Sequence, residues 1–283
     1  MSTNNFNYIK SITLEGFCGN QSISWSLQKG ANVLSGSNGT GKSTLIQALS
    51  KVLKSSSAPQ YSSKPYDSIT VTFCDGSTIS SKENKPSDLE NIDIISTFDM
   101  PLKISEAVKH LSSSQVVTDL DWELYRCLER FLRFQLNLGK KVIQLLLDGA
   151  DKSVAVEVTK NKEIFIDLID QMFKESGKSI VRDSDDLLFD SPGGLVTPFQ
   201  LSSGEKQLLI IFITVLTQGG EESILIMDEP EISLHHIWQR QLINNILILN
   251  PKLQLITSTH SPALIMDGWL DRVVDISEIA TRA

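Results

Sequence analysis

Gly36-Ser37-Asn38-Gly39-Thr40-Gly41-Lys42-Ser43-Thr44 decides how this chain folds, because it is a complete G-x-x-x-x-G-K-[ST] loop placed between a strand and a helix. Ala31-Asn32-Val33-Leu34-Ser35 before it is a short apolar strand, and Thr44-Leu45-Ile46-Gln47-Ala48-Leu49 after it has helical spacing. Glycines let successive backbone N–H groups turn inward around one point, and the helix dipole adds positive potential there. The loop is suited to the phosphates of a nucleoside triphosphate. Ser37, Asn38, Gly39, Thr40, Gly41, Lys42, Ser43 and Thr44 are its candidate binding residues. Lys42 reaches the outer phosphates in this pattern, and the Ser43 hydroxyl is a metal ligand for Mg²⁺.

A second cluster lies far downstream. Ser223-Ile224-Leu225-Ile226-Met227-Asp228-Glu229 is an apolar strand ending in two carboxylates, a Walker B pattern. Beside a phosphate loop, Asp228 can hold Mg²⁺, usually through water, and Glu229 can polarise the attacking water. Upstream, Leu201-Ser202-Ser203-Gly204-Glu205-Lys206-Gln207 opens an apolar helix, so Ser202, Ser203 and Gly204 place hydroxyls and free amides at a helix N-terminus. Downstream, Leu253-Gln254-Leu255-Ile256-Thr257-Ser258-Thr259-His260-Ser261-Pro262 reads as a strand followed by a short polar turn. An imidazole there can donate a hydrogen bond near neutral pH.

These motifs, in this order, resemble the ABC-type ATPases. The resemblance implies an α/β fold, a P-loop NTPase head with an inserted, mainly helical subdomain, and ATP and Mg²⁺ as cofactors. It implies that Ser202, Ser203, Gly204 and Glu205 form a signature motif that binds nucleotide across a homodimer interface. Pro230 to His235 takes the place of the D-loop, and His260 that of the switch histidine, which with Glu229 makes up the catalytic pair. The wording Asp228-Glu229-Pro230-Glu231-Ile232-Ser233-Leu234-His235, with Ser258-Thr259-His260-Ser261-Pro262, resembles the soluble branch that contains OLD-family nucleases, SMC and recombination-repair ATPases, and ATPase subunits of bacterial anti-phage systems such as Septu. The strands expected at Ile9–Phe17 and Ser22–Leu27 fit the start of such heads.

Two departures stand out. The Gln that the family carries after the strand at Ile92–Asp99 is missing; either Ser96 or Asp99 substitutes for it, or its function is absent and hydrolysis is slow. After Ile276 little chain remains, so no Toprim nuclease domain is expected, and the protein is not expected to cut DNA by itself.

The 283 residues carry a formal charge of −8, which disfavours a broadly basic nucleic-acid surface but leaves room for a local basic patch made by folding. Leu208–Leu216 is too short an apolar run to span a bilayer, the N-terminus is polar, and the expected location is cytoplasmic, with no membrane partner. Cys18, Cys74 and Cys127 are too few and too scattered for a disulfide frame. Three segments are expected: an N-terminal lobe over 1–99, a helical insert over 100–195 and a C-terminal lobe over 196–283. In the insert, apolar spacing predicts a helix over 119–147, roughly 43 Å long at 1.5 Å per residue, ended by Gly149. A second helix is expected over Glu163–Glu175, then a hairpin of Ser179–Val181 with Leu187–Phe189. The insert reads either as a packed lid or as a partner-docking arm. The functional expectation is an ATP-gated switch or scaffold working with a separately encoded effector in anti-phage defence. The alternatives are a DNA-repair ATPase head, a transporter's nucleotide-binding subunit, and a non-catalytic assembly scaffold.

Overall fold

The strand that feeds the phosphate loop is apolar on both faces, and this sets the architecture. The computed structural model describes residues 8–17, 19–54, 65–82, 89, 91–95, 116–184 and 186–282. In chain order these form β1 (Ile9–Phe17), β2 (Gln21–Ser26), β3 (Ala31–Ser35), α1 (Lys42–Leu53), β4 (Ser68–Phe73), β5 (Thr78–Ser80) and β6 (Ile92–Ile95). Then follow α2 (Asp119–Leu147), α3 (Lys152–Phe173), β7 (Ser179–Ile180), β8 (Phe189–Asp190), α4 (Ser203–Thr217), β9 (Ser223–Asp228), α5 (His236–Leu249) and β10 (Leu253–Ser258). The last elements are α6 (Pro262–Ile265), β11 (Val273–Asp275), α7 (Ile276–Ile279) and β12 (Ala280–Arg282).

Five strands pair in the order β11-β3-β10-β9-β6, every pairing parallel. Because side chains alternate across a strand, each strand serves two cores. Val33, Leu225, Met227, Leu253 and Leu255 point into a cluster with the helices α2 to α5. Leu34, Ile224, Ile226 and Ile256 point the other way, against α1 and the antiparallel sheet β12-β2-β1-β4-β5. On that second face Gln254 interrupts the apolar pattern for a reason. Its Nε2 donates to the carbonyls of Ile9 and Gln28, and its Oε1 accepts the Ile9 N–H, so one buried amide joins the two sheets.

The long helix of the insert runs from Asp119 to Leu147 as its spacing predicted. Thr118 and Asp121 form a reciprocal capping box at its start, and Gly149 at φ 79° follows its end. Its first half is core: Leu120, Leu124, Cys127 and Phe131 are buried against α4 and α3. Its far half exposes Leu136, Ile143, Leu146 and Leu147. The second helix starts earlier than expected, at Lys152, because Asp151 caps it by accepting the Ser153 N–H. The small hairpin is displaced by a residue or two, pairing Ser179 with Asp190 and Ile180 with Phe189. Cys127 is buried beside Thr214, and burial pushes its thiol up to about 11. Cys18 lies outside the described residues.

Candidate functional site

Parallel pairing brings three strand ends into one row. Ser258, the last residue of β10, stands opposite both Leu34 of β3 and Asp228 of β9. The phosphate loop, the Glu229 turn and the His260 turn therefore leave the same edge of the sheet, where ligands of open parallel sheets bind.

The loop is shaped by glycine. Gly41 has φ 97°, and a Cβ there would sit 2.0 Å from Phe17 Cζ. An aromatic ring from β1 thus backs the loop where it enters α1. Ser37, Asn38 and Gly39 are exposed, Thr40, Ser43 and Thr44 partly so, and Lys42 is buried. The Lys42 ammonium donates to the carbonyls of Gly36 at 2.9 Å and Ser37 at 3.1 Å, and its Nζ lies 2.8 Å from His260 Nε2. Burial pushes the Lys42 ammonium down. Glu229, Asp228, Asp275 and Glu231 pull it back up, and the net value stays below that of a free lysine.

His260 Nε2 also lies 2.8 Å from Glu229 Oε1. A ring nitrogen either donates or accepts, so Nε2 serves Glu229 as a donor or Lys42 as an acceptor, but not both at once. Glu229 is the one non-glycine at positive φ among the described residues, at 47°. Left-handed backbone costs on the order of 1 kcal/mol for such a residue. Here it directs the carboxylate leaving β9 toward His260. The Glu229 N–H is held by Ser258, whose hydroxyl donates to Asp228 Oδ1 at 2.6 Å. The Ser43 hydroxyl and the Asp228 carboxylate are hard oxygen donors of the kind Mg²⁺ takes, and the loop's small residues leave room for phosphate. The residues present fit ATP with Mg²⁺.

The segment expected to form the signature motif opens α4. Ser202 caps α4, Ser203 is exposed, and a Cβ on Gly204 would lie 2.4 Å from the Ser233 carbonyl oxygen. Glu205, expected among the nucleotide-binding residues, instead turns inward and is 2% exposed. Its oxygens accept from the Ser202 N–H and hydroxyl, the Ser176 hydroxyl and the Lys178 ammonium. Lys206 next to it pairs with Asp121 at 2.8 Å. Consecutive residues at the start of α4 are thus gripped from both ends of the helical insert. Among the described residues no hydrogen bond or ion pair joins residues 202–205 to the loop at 36–44. Ser96 and Asp99, the candidates for the missing Gln, lie outside the described residues.

Glu231, Ser258 and Thr259, to which the motifs give no role, are all buried at this edge. A charged residue between Pro230 and Ile232 was the available signal.

Residues 8–186 match the family described as "AAA ATPase domain". The chain belongs to that family. Residues 106–267 also match "AAA domain, putative AbiEii toxin, Type IV TA system". The chain is an ATPase of this P-loop type. It is similar to "Septu protein PtuA" of Bacillus thuringiensis, 21% identical over 320 residues covering 94% of this chain and 75% of that one. It is also similar to "Retron Vc95 probable ATPase" of Vibrio cholerae serotype O1 biovar El Tor, 26% identical over 133 residues, 40% of this chain and 26% of the other. In fold it matches an SMC head solved bound to the C-winged helix domain of ScpA, with TM-score 0.54, 15% identity and coverage of 92% and 91%. The kinship with Septu-type ATPases and the SMC-like head expected from the motifs are both met. No helix among the described residues is long and apolar enough to cross a membrane.

Proposed function

We propose that this protein is an ATP- and Mg²⁺-dependent switch of the ABC type, cytoplasmic, which closes as a head-to-tail homodimer and acts on a separately encoded effector in anti-phage defence. The observation that carries the nucleotide reading is the meeting of Lys42, Asp228, Glu229 and His260 at the ends of β3, β9 and β10. In this reading the loop amides of residues 37–44 and the Lys42 ammonium hold the phosphates. Bound Mg²⁺ supplies charge neutralisation at the β- and γ-phosphates. Ser43 and Asp228 would hold that ion, the Asp228 carboxylate being oriented by the Ser258 hydroxyl that donates to it. Glu229 takes the proton of the attacking water, and His260 donates to the γ-phosphate when its Nε2 is released from Glu229.

The dimer reading draws on the exposure of Ser202 and Ser203 at the α4 N-terminus, which among the described residues share no hydrogen bond or ion pair with their own phosphate loop. A second copy would bring its loop to them, with the turn at Ile232–His235 alongside, since Gly204 already packs on Ser233. The division into lobes and insert follows the same scheme, with the base of the insert inside the core and the far half free to meet a partner. The defence role draws on the similarity to Septu protein PtuA across most of both chains.

Light scattering of Glu229→Gln with and without ATP–Mg²⁺ tests it. Glu229→Gln retains nucleotide and is expected to double in mass on addition of ATP, and Glu229→Gln with Ser203→Arg is expected to stay monomeric. A mass that ignores ATP in both variants overturns the gated dimer.

A further inference from the structure

Glu231 is a buried carboxylate that the hydrolytic scheme above leaves unused. Its Oε1 accepts from the Thr259 hydroxyl, from the His260 N–H at 2.9 Å and from the Ser261 N–H at 3.3 Å. One oxygen therefore receives three donors from the segment that carries His260. The segment is tied a second time, because the Ser261 hydroxyl donates to Gln239 Oε1, and Gln239 Nε2 donates back to the carbonyls of Glu231 and Leu234. The result is a closed ring from the turn after β9, through the turn after β10, to α5 and back. Glu231 Oε2 is buried without a hydrogen-bond partner among the described residues. An orphaned buried acceptor costs stability, so packing alone does not explain a carboxylate here.

We propose that Glu231 is a positioning residue for ATP hydrolysis, holding the Thr259–Ser261 backbone so that His260 Nε2 stays within reach of Glu229 and Lys42. This rests on the roles given above to Glu229 and His260. A displacement of about 1 Å at a catalytic group can cost on the order of a hundredfold in rate. Without the three bonds to Oε1, the segment keeps the Thr259 N–H on the Leu34 carbonyl and its tie through Ser261 to α5, while the His260 N–H loses its acceptor.

The test is steady-state ATP hydrolysis by the full chain for Glu231→Ala, Glu231→Gln, His260→Ala and the Glu231→Ala/His260→Ala double variant, with thermal melts alongside. Glu231→Ala is expected to lower kcat by about 10- to 100-fold with KM for ATP within about threefold of the parent. Glu231→Gln keeps an acceptor at Oε1 and is expected to recover most of that rate. The double variant is expected to be no slower than His260→Ala, because the tether acts only through the histidine. If Glu231→Ala fails to fold, Thr259→Val removes one donor of the ring and is read the same way. A loss confined to KM, a Glu231→Gln as slow as the alanine variant, or losses that multiply in the double variant each overturn the proposal. His260→Ala at the parent rate overturns both this inference and the role assigned to the histidine. A slow His260→Ala beside parent-rate Glu231→Ala and Thr259→Val overturns this inference alone.

Discussion

Glu205→Ala separates two roles for the signature glutamate, nucleotide ligand and structural clasp. In the fold Glu205 is 2% exposed and its partner Lys178 is 21% exposed, at 2.8 Å. Removing one partner of a buried pair costs about 3–5 kcal/mol, since the other is left without compensation. Lys178 can still reach water, which places the loss near the lower end, about 3 kcal/mol. The Ser202 N–H also loses its acceptor, adding about 1 kcal/mol. At about 2 °C per kcal/mol for a chain of this size, the melting midpoint is expected to fall by roughly 8 °C. The pH dependence has a definite sign. Burial pushes the Glu205 carboxyl up, but Lys178, the Ser202 N–H and the Ser176 hydroxyl pull it down further, so it lies below the ordinary 4.5. A carboxyl depressed in the folded state stabilises above its unfolded value, and that contribution is lost as pH falls through the folded one. The gap between parent and variant should be full at pH 7 and narrow as pH falls from about 4.5 through the lower folded value, by the share that the depressed carboxyl contributes. Calorimetric melts across pH, with ATP titrations beside them, make the measurement. An unchanged midpoint together with weakened ATP binding would refute the clasp and return Glu205 to the nucleotide.

Gly41→Ala is expected to lose about 2–4 kcal/mol of stability, from a left-handed backbone and a methyl driven into Phe17, with the midpoint of a urea melt as the check. Lys42→Ala removes a charged donor worth about 1.5–3 kcal/mol, and calorimetry should show ATP bound roughly 10- to 150-fold more weakly. Equal affinity in mutant and parent would remove Lys42 from the phosphate site.

The phosphate loop, both carboxylates of the Walker B strand and the long helix were legible because each is written in a contiguous stretch. Thr118 with Asp121 marks where α2 begins, and Gly149 where it stops. The orientation of Glu205 was not legible, since it depends on Ser176 and Lys178, which reach it only after α3 has folded back onto α4. The same holds for Glu231, whose donors come from a strand end that no local pattern connects to it. The early start of α3 escaped the apolar spacing because Val154 and Val156 are exposed, so the first turns carry no consistent buried face. Local signals specify elements, and long-range hydrogen bonds specify which way a polar side chain faces.

The position of β3 also governs when the nucleotide site comes into being. Its two neighbours in the sheet are β10 and β11, both beyond residue 250, whereas the loop it carries is among the first elements of the chain. During synthesis the phosphate loop therefore leaves the ribosome attached to a strand whose sheet partners are not yet made, while β2 and β4 can already pair on either side of β1. Non-local parallel pairing of this kind is slow to form. A nascent chain can therefore complete its ATP-binding edge only after β10 and β11 have been synthesised, long after the phosphate loop itself.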